Sequence, residues 1–186
     1  MKHSDTILIV GCGNSNFSLE LYDNGFTNIV NIDFSEVVID RMKKANEVNR
    51  PMMQWLVMDM TSMTTFDTNT FDVVIDKASM DALCVDEGDV WDPKDDVINS
   101  VHRMCTDISR ILKPNGYFLS LSFAQPHFRT KYLNGSRTSE NSRCIDNPYE
   151  IMKGKCDQYN WTLNYEKISK ELGTFEFYLY VMEKGE

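Results

Sequence analysis

Short apolar stretches alternate with amphipathic segments along most of this chain. Continuous apolar runs predict buried strands at Thr6–Val10, Asn28–Asp33, Gln54–Met58, Phe71–Ile75 and Tyr117–Phe123. Helical spacing and stop signals predict helices at Asn16–Asn24, from Ser35 to before Pro51, and at about Val97–Leu112. Such alternation of strands and helices is typical of a parallel sheet with helices on both faces.

The pattern changes in the last third of the chain. Two successive strands, Trp161–Ile168 and Phe175–Glu183, are separated by a Lys-Glu-Leu-Gly turn and are predicted to form an antiparallel hairpin at the sheet edge. The segment from about Arg129 to Asp157 is polar and irregular, and we assign no element to it. We therefore predict an α/β fold: one Rossmann-like, doubly wound domain over residues 1–186, with a seven-stranded, mainly parallel sheet and a C-terminal antiparallel hairpin.

A glycine-rich turn, Gly11-Cys12-Gly13-Asn14, follows the first strand, and Asp33 ends the second strand 22 residues after Gly11. Glycines allow a ligand to approach the backbone closely, and a carboxylate at this place can accept two hydrogen bonds from a ribose diol. A dinucleotide turn would carry a third glycine where this chain has Asn16, and a pyrophosphate needs free N–H groups at a helix N-terminus. The turn therefore favours S-adenosyl-L-methionine, with S-adenosyl-L-homocysteine as its product, over NAD.

Polar residues also follow the third and fourth predicted strands. Asp59 and Met60 are placed to contact an adenine, although a solvated aspartate beside a core methionine would look similar. Lys77 could hold the cofactor's carboxylate or an acidic neighbour, and Asp76 and Asp81 could assist the deprotonation of a lysine nucleophile. A strand-end salt bridge is the competing interpretation of this segment.

Two further segments are candidates for substrate contact. His127, Phe128 and Arg129 follow the fifth strand and are predicted to face the substrate mouth, although a surface loop would have the same sequence character. The acidic run Asp86–Asp96 carries Trp91 in its middle, and it could dock a basic protein or simply be solvated.

Composition excludes several classes of function. The net charge of −9 argues against broad binding to nucleic-acid phosphate and is compatible with a lysine-rich protein partner. The five cysteines form no Cys-x-x-Cys pair and the three histidines are not spaced as ligands, so we expect neither a metal site nor a disulfide framework. No apolar run approaches the roughly 20 residues that cross a bilayer. A cytoplasmic location is the resulting expectation.

These motifs together resemble a known family. The runs Ile-Val-Gly11-Cys-Gly-Asn-Ser15, Asn-Ile-Asp33-Phe-Ser-Glu, Met-Asp59-Met, Asp76-Lys-Ala-Ser-Met-Asp81-Ala-Leu and Pro-His127-Phe-Arg-Thr occur in this order. They are similar to the eukaryotic class I methyltransferases that modify lysines of translation elongation factor 1-alpha. The resemblance implies an S-adenosylmethionine-dependent enzyme that methylates a lysine of that elongation factor. A small-molecule N- or O-methyltransferase and a catalytically weak cofactor-binding scaffold are the alternatives.

The resemblance also implies roles for particular positions. Members of the family would hold the cofactor with the backbone at Gly11–Asn14, its ribose with Asp33, and its adenine with Phe34 beside Ser35. Asp59 and Met60 would complete the adenine pocket. Asp76 and Lys77 would lie near the methionine end of the cofactor.

The resemblance is incomplete at the start of the chain. Family members carry an additional segment before the first strand, with Trp and Tyr residues that close over the cofactor, whereas five residues precede Thr6 here. We expect such a lid to be missing and cofactor binding to be weaker than in relatives that have it, because small misplacements of reacting groups cost large factors in rate.

Overall fold

A computed structural model describes residues 1–135, 154–168 and 176–186. Its strands are β1 (Ile7–Val10), β2 (Ile29–Asp33), β3 (Gln54–Val57), β4 (Phe71–Lys77), β5 (Gly88–Asp89), β6 (Asp92–Pro93), β7 (Leu112–Ser122), β8 (Gly154–Cys156), β9 (Trp161–Ile168) and β10 (Phe177–Lys184). Its helices are α1 (Phe17–Asp23), α2 (Glu36–Asn46), α3 (Ser79–Leu83), α4 (Asp95–Ile111) and α5 (Pro126–Leu133).

The main sheet has the strand order β3-β2-β1-β4-β7-β10-β9-β8. The first five strands in this order, β3, β2, β1, β4 and β7, are parallel to one another. Strands β10, β9 and β8 follow, and each is antiparallel to the strand before it. This confirms the predicted Rossmann-like sheet, to which β8 adds a short eighth strand inside a segment left unassigned. The C-terminal pair is antiparallel as predicted, but β10 lies between β7 and β9 and β8 takes the edge. The Lys-Glu-Leu-Gly turn falls outside the described residues.

Helices cover both faces of the sheet, as the alternating pattern predicts. Leu8 and Val10 of β1 pack in a core with the apolar face of α4, whereas Ile7 and Ile9 pack on the other side with residues of α2. Successive residues of a strand point to opposite faces, and both faces of β1 are covered. Its residues are therefore at most 4% exposed.

The junction between α4 and β7 differs from the prediction. The helix ends at Ile111, close to the expected position, but the stop signal Lys113–Gly116 lies inside β7 instead of forming a separate turn. Asn115 adopts the left-handed conformation (φ 62°), and the register of β7 against β4 shifts there. Asn tolerates this conformation better than most residues. Residues Lys113–Gly116 therefore form a bulge-like irregularity within β7 instead of ending the element.

Helices α3 and α5 and the ribbon β5–β6, near the carboxyl edge, were not predicted. Helix α5 begins at Pro126, a residue type that suits the first helical position because it lacks the N–H that would remain unbonded there. The small antiparallel ribbon β5–β6 lies within the acidic run Asp86–Asp96. Among the described residues, no helix is both long and apolar enough to cross a membrane.

Candidate functional site

A cavity of about 720 Å³ opens at the carboxyl ends of β1, β2, β3 and β4. This is the edge at which open parallel sheets bind their ligands. Six of the residues proposed from the sequence line it: Gly11, Asp33, Phe34, Asp59, Met60 and Lys77. The structure thus brings together candidates that come from four separate strand ends.

The turn after β1 is packed tightly against the start of α3. The Ser79 hydroxyl reaches the carbonyl oxygens of Val10 and Gly11, each at 2.9 Å. A Cβ placed on Gly11 would lie 2.4 Å from that hydroxyl oxygen, and Gly11 itself has a φ of 58°. Gly13 also has a positive φ of 54°, but no neighbouring atom lies within 4 Å of its would-be Cβ. Gly11 is therefore required both by its positive φ and by the lack of space for a side chain, whereas Gly13 is required by its positive φ alone.

Asp33 fastens the same turn from the neighbouring strand. Its two carboxylate oxygens accept backbone N–H groups at 2.9 Å, one from Gly13 and one from Ser35. The side chain lines the cavity although the residue is only 8% exposed. Since a carboxylate offers about four lone-pair sites, acceptor capacity remains toward the cavity. The Ser35 hydroxyl accepts from Val38 N–H and caps α2, so it serves the helix.

The opposite wall comes from the loop after β3. One oxygen of Asp59 accepts both the backbone N–H and the hydroxyl of Thr61, which fixes the carboxylate at the rim. Met60 is half-buried beside it, and Phe34 extends from the end of β2 with 81% of its surface exposed. An apolar ring and a thioether with a carboxylate between them suit a flat heteroaromatic ligand.

The end of β4 carries Lys77, Ala78 and Ser79 into the cavity wall. Lys77 is exposed and also borders a smaller cavity of about 30 Å³ beside Cys12. Ala78 adopts the left-handed conformation (φ 65°), which is strained for a residue with a side chain. Strain of this kind concentrates where a fold must place neighbouring groups accurately.

Asp76, proposed as catalytic and cofactor-binding, does not line the cavity. Its side chain is fully buried, and its carboxylate accepts from the N–H groups of Ser79 and Met80 and from the Ser120 hydroxyl at 2.7 Å. Burial raises the pKa of Asp76 despite these hydrogen bonds. The residue holds the N-terminus of α3 against β7, so its geometry is that of a positioning residue.

Asp81 and Arg129 form a buried ion pair instead of two separate site residues. Arg129 donates to Asp81 at 2.5 Å and to the Cys84 sulfur at 3.1 Å, and its side chain is 3% exposed. The other oxygen of Asp81 accepts the N–H of Phe123, and Ser122 also donates to this carboxylate. The predicted base is thus engaged with α5 and β7, and the predicted substrate contact Arg129 lies inside the protein.

His127 and Phe128, by contrast, lie at the surface. The ring of Trp91 is stacked on His127 with centroids 6.0 Å apart and meets Phe128 edge-on at 5.3 Å. Neither His127 nor Phe128 lines the large cavity. They form an aromatic group with Trp91 outside the cavity lining, and their contact with a substrate stays a prediction.

The remaining residues of the glycine turn are less directly placed. Cys12 is buried, and burial together with the nearby charge of Asp33 raises the pKa of its thiol to about 12. It borders the small cavity only, and Asn14 is exposed and borders neither. No group of three potential metal ligands occurs in the part of the chain that the structure describes.

Several lining residues were not proposed from the sequence. They are Met58, Thr61, Ala78, Ser79, Ala82, Leu83, Ser100 and Arg103. Two of them, Ala78 and Ser79, lie within the segment Asp76–Asp81 that the sequence analysis had singled out. Ser100 and Arg103 lie on α4 beside its buried stripe, and nothing in their local sequence shows that this helix reaches the cavity.

Comparisons with known proteins agree with this geometry. The family described as "Methyltransferase domain" matches residues 8–120. A crystal structure of an S-adenosylmethionine-dependent methyltransferase from Methanosarcina mazei superposes with a TM-score of 0.64, covering 100% of this chain and 94% of that one. At 17% identity, this likeness shows the shared fold.

Curated relatives are more similar in sequence. "EEF1A lysine methyltransferase 4" of Mus musculus is 33% identical over 97% of this chain, and "eEF1A lysine and N-terminal methyltransferase" of Homo sapiens is 43% identical over 70% of it. The matched part spans 61% of the mouse protein and 18% of the human one.

Proposed function

This chain belongs to the methyltransferase-domain family, and from that premise we propose that it is an S-adenosylmethionine-dependent protein-lysine N-methyltransferase. The observation that supports the proposal most strongly is the position of Asp33. Its carboxylate is fixed by the glycine turn, borders the cavity and has lone pairs left for a ribose diol.

The lining residues fit S-adenosylmethionine in chemistry as well as in place. Asp33 would accept from the ribose, while Phe34 and Met60 would enclose the adenine and Asp59 would accept from its amino group. Lys77, a cation at the far strand end, would pair with the carboxylate of the methionine portion. No phosphate-binding row of N–H groups is needed for such a ligand.

The cofactor supplies a methyl group already activated by a sulfonium, so the protein's task is to position and desolvate the nucleophile. The amine would have to be neutral, because its lone pair would form the new N–C bond while the methyl–sulfur bond breaks and S-adenosylhomocysteine leaves. Ala78, Ala82 and Leu83 give the wall near Lys77 an apolar character. Burial against such a wall lowers the pKa of an entering lysine and favours loss of its proton to solvent. Neither Asp76 nor Asp81 is needed as a base in this scheme.

We propose translation elongation factor 1-alpha as the protein substrate. The relatives named for its methylation are 33% identical over 97% of this chain and 43% identical over 70% of it. The net charge of −9 favours encounter with a basic partner through long-range attraction.

The first experiment is calorimetric titration with S-adenosylhomocysteine, with NAD as the control ligand. We expect binding of S-adenosylhomocysteine alone, and its loss in Asp33→Ala. The matched variant is Asp40→Ala, because Asp40 is an exposed aspartate paired with Lys44 on the outside of α2. Binding of NAD, or equal binding by both variants, would refute the cofactor assignment.

The second experiment supplies labelled S-adenosylmethionine together with purified elongation factor 1-alpha. Label on a lysine of that protein supports the proposal. Label transferred only to small amines or phenols would show a small-molecule methyltransferase on the same fold. Tight cofactor binding without any transfer would show a binding scaffold.

A further inference from the structure

Trp91 is the exposed member of the protein's three tryptophans. It is 70% exposed, whereas Trp55 is 7% and Trp161 is 1% exposed. Its ring is nevertheless ordered against His127 and Phe128 of α5. We call these three residues the aromatic shelf. A large exposed aromatic surface that is held in place costs solvation free energy, and such surfaces mark contact sites for partners.

The acidic run that carries Trp91 is attached to α5 by specific contacts. The Tyr132 hydroxyl donates to Glu87 at 2.6 Å, and the Lys131 ammonium donates to the backbone carbonyl of Val90. The β5–β6 pairing closes the turn below Trp91. Three independent contacts thus hold the run, as expected for a shaped surface.

Charge complements the shelf on the same run. Residues 86–96 contain six carboxylates and a single lysine. Asp86, Asp92 and Asp95 are exposed, so several carboxylates of the run face solvent near Trp91 in the sequence. Exposed aromatic faces beside carboxylates attract lysine and arginine side chains through cation–π and ionic interactions.

The shelf is also connected to the cavity. Helix α3 contributes Ala82 and Leu83 to the cavity wall and then leads directly into the acidic run. The ion pair between Asp81 of α3 and Arg129 of α5 joins the two helices from inside. The shelf is therefore linked to the cavity wall through α3 and the helix α5 that pairs with it.

We propose that the aromatic shelf and its acidic run dock a basic, extended segment of the protein substrate next to the lysine that is methylated. This inference rests on the proposed function for its substrate, but docking itself requires neither cofactor nor methyl transfer. In this proposal the shelf selects the protein that binds, and the cavity is where its lysine is methylated.

Quenching of Trp91 fluorescence by acrylamide tests the docking directly, since the other tryptophans are buried. We expect a Gly-Lys repeat peptide to shield Trp91 and added salt to weaken the shielding, whereas a Gly-Glu repeat peptide of equal length leaves quenching unchanged. Trp91→Phe should remove most of the quenchable signal, which verifies its source. Asp86→Asn combined with Asp95→Asn should reduce shielding, and Asp67→Asn, an exposed aspartate outside the run, should not.

A kinetic measurement links the shelf to the substrate. Trp91→Ala should raise the KM for elongation factor 1-alpha roughly tenfold while S-adenosylhomocysteine affinity stays unchanged. Tyr117→Ala is the matched aromatic control, because Tyr117 is 38% exposed in the middle of β7 and donates to Glu183 of β10, outside the shelf. Absence of shielding by the basic peptide, or equal shielding by both peptides, would overturn the docking inference. Failure to bind S-adenosylhomocysteine would instead refute the proposed function and leave the quenching result standing.

Discussion

Ser79 occupies the space that a side chain on Gly11 would need. Its hydroxyl oxygen lies 2.4 Å from the position of a Cβ on Gly11, and it bonds the Gly11 carbonyl at 2.9 Å. The end of β1 and the start of α3 therefore lie close together, with only the Ser79 side chain between their backbones. Both residues line the large cavity, so this contact forms part of its wall.

Gly11→Ala should destabilise the protein by about 2–5 kcal/mol, because a left-handed alanine and an overpacked contact add together. Gly13→Ala, with the same strained φ but open space, should cost only about 1–2 kcal/mol. Urea unfolding of both variants measures the difference. Ser79→Gly removes the obstructing atoms and should restore part of the stability lost in Gly11→Ala. Equal losses in the two alanine variants would contradict the packing explanation.

Ala78→Gly should stabilise the protein by about 1 kcal/mol, because glycine adopts a φ of 65° without a steric penalty. Ala45→Gly, at an exposed position inside α2, should instead destabilise it by about 1 kcal/mol. Opposite signs in urea unfolding are the expected result. Destabilisation by both changes would show that the Ala78 methyl group makes packing contacts worth more than the backbone strain.

Asp76 should make stability fall as pH rises above its ordinary pKa of 3.8. Burial raises the pKa of Asp76 in the folded state, so the unfolded chain releases this proton at a lower pH than the native protein does. The contribution is fully present below 3.8 and is lost as pH rises through the higher folded value. Asp76→Asn cannot titrate but can accept from Ser79 N–H and donate to Ser120.

We therefore expect Asp76→Asn to flatten the decline of unfolding free energy as pH rises from 3.8 toward neutrality. Urea unfolding at intervals across this range, with exposed Asp67→Asn as the control, measures it. An unchanged slope in Asp76→Asn would show that Asp76 is already ionised throughout.

Arg129→Ala should destabilise the protein by about 3–5 kcal/mol, because it leaves the Asp81 carboxylate half-buried without its partner. Lys44→Ala breaks an exposed pair with Asp40 and should produce no measurable change. A double-mutant cycle with Asp81→Asn isolates the ion pair. Strictly additive effects of the two substitutions would mean that the cost of Arg129→Ala comes from lost packing alone.

Local pattern was sufficient for seven strands and the glycine turn, because a buried strand is a short apolar run and a tight turn needs glycine. It did not reveal the short strands β5, β6 and β8. It was insufficient for Asp76, because the predicted strand stopped at Ile75 while β4 continues to Lys77. Residue 76 is therefore a sheet residue paired with Val10 and Ser120, not a loop residue free to face a ligand.

The same limit applies to the segment around α5. A run of Pro, His, Phe and Arg has no period that distinguishes a surface loop from a short helix. Arg129 becomes buried only because Asp81 and Cys84, far away in the chain, meet it from α3. These contacts form only in the folded protein, so the sequence around Arg129 does not predict them.

The position of β10 between β7 and β9 has a consequence for synthesis on the ribosome. One edge of β7 stays open until residues 177–184 have emerged, long after the rest of the parallel sheet is available to fold. An open edge with apolar neighbours invites pairing with other nascent chains. We expect chains released before β10 to aggregate, and chaperone dependence to end abruptly once that strand can insert.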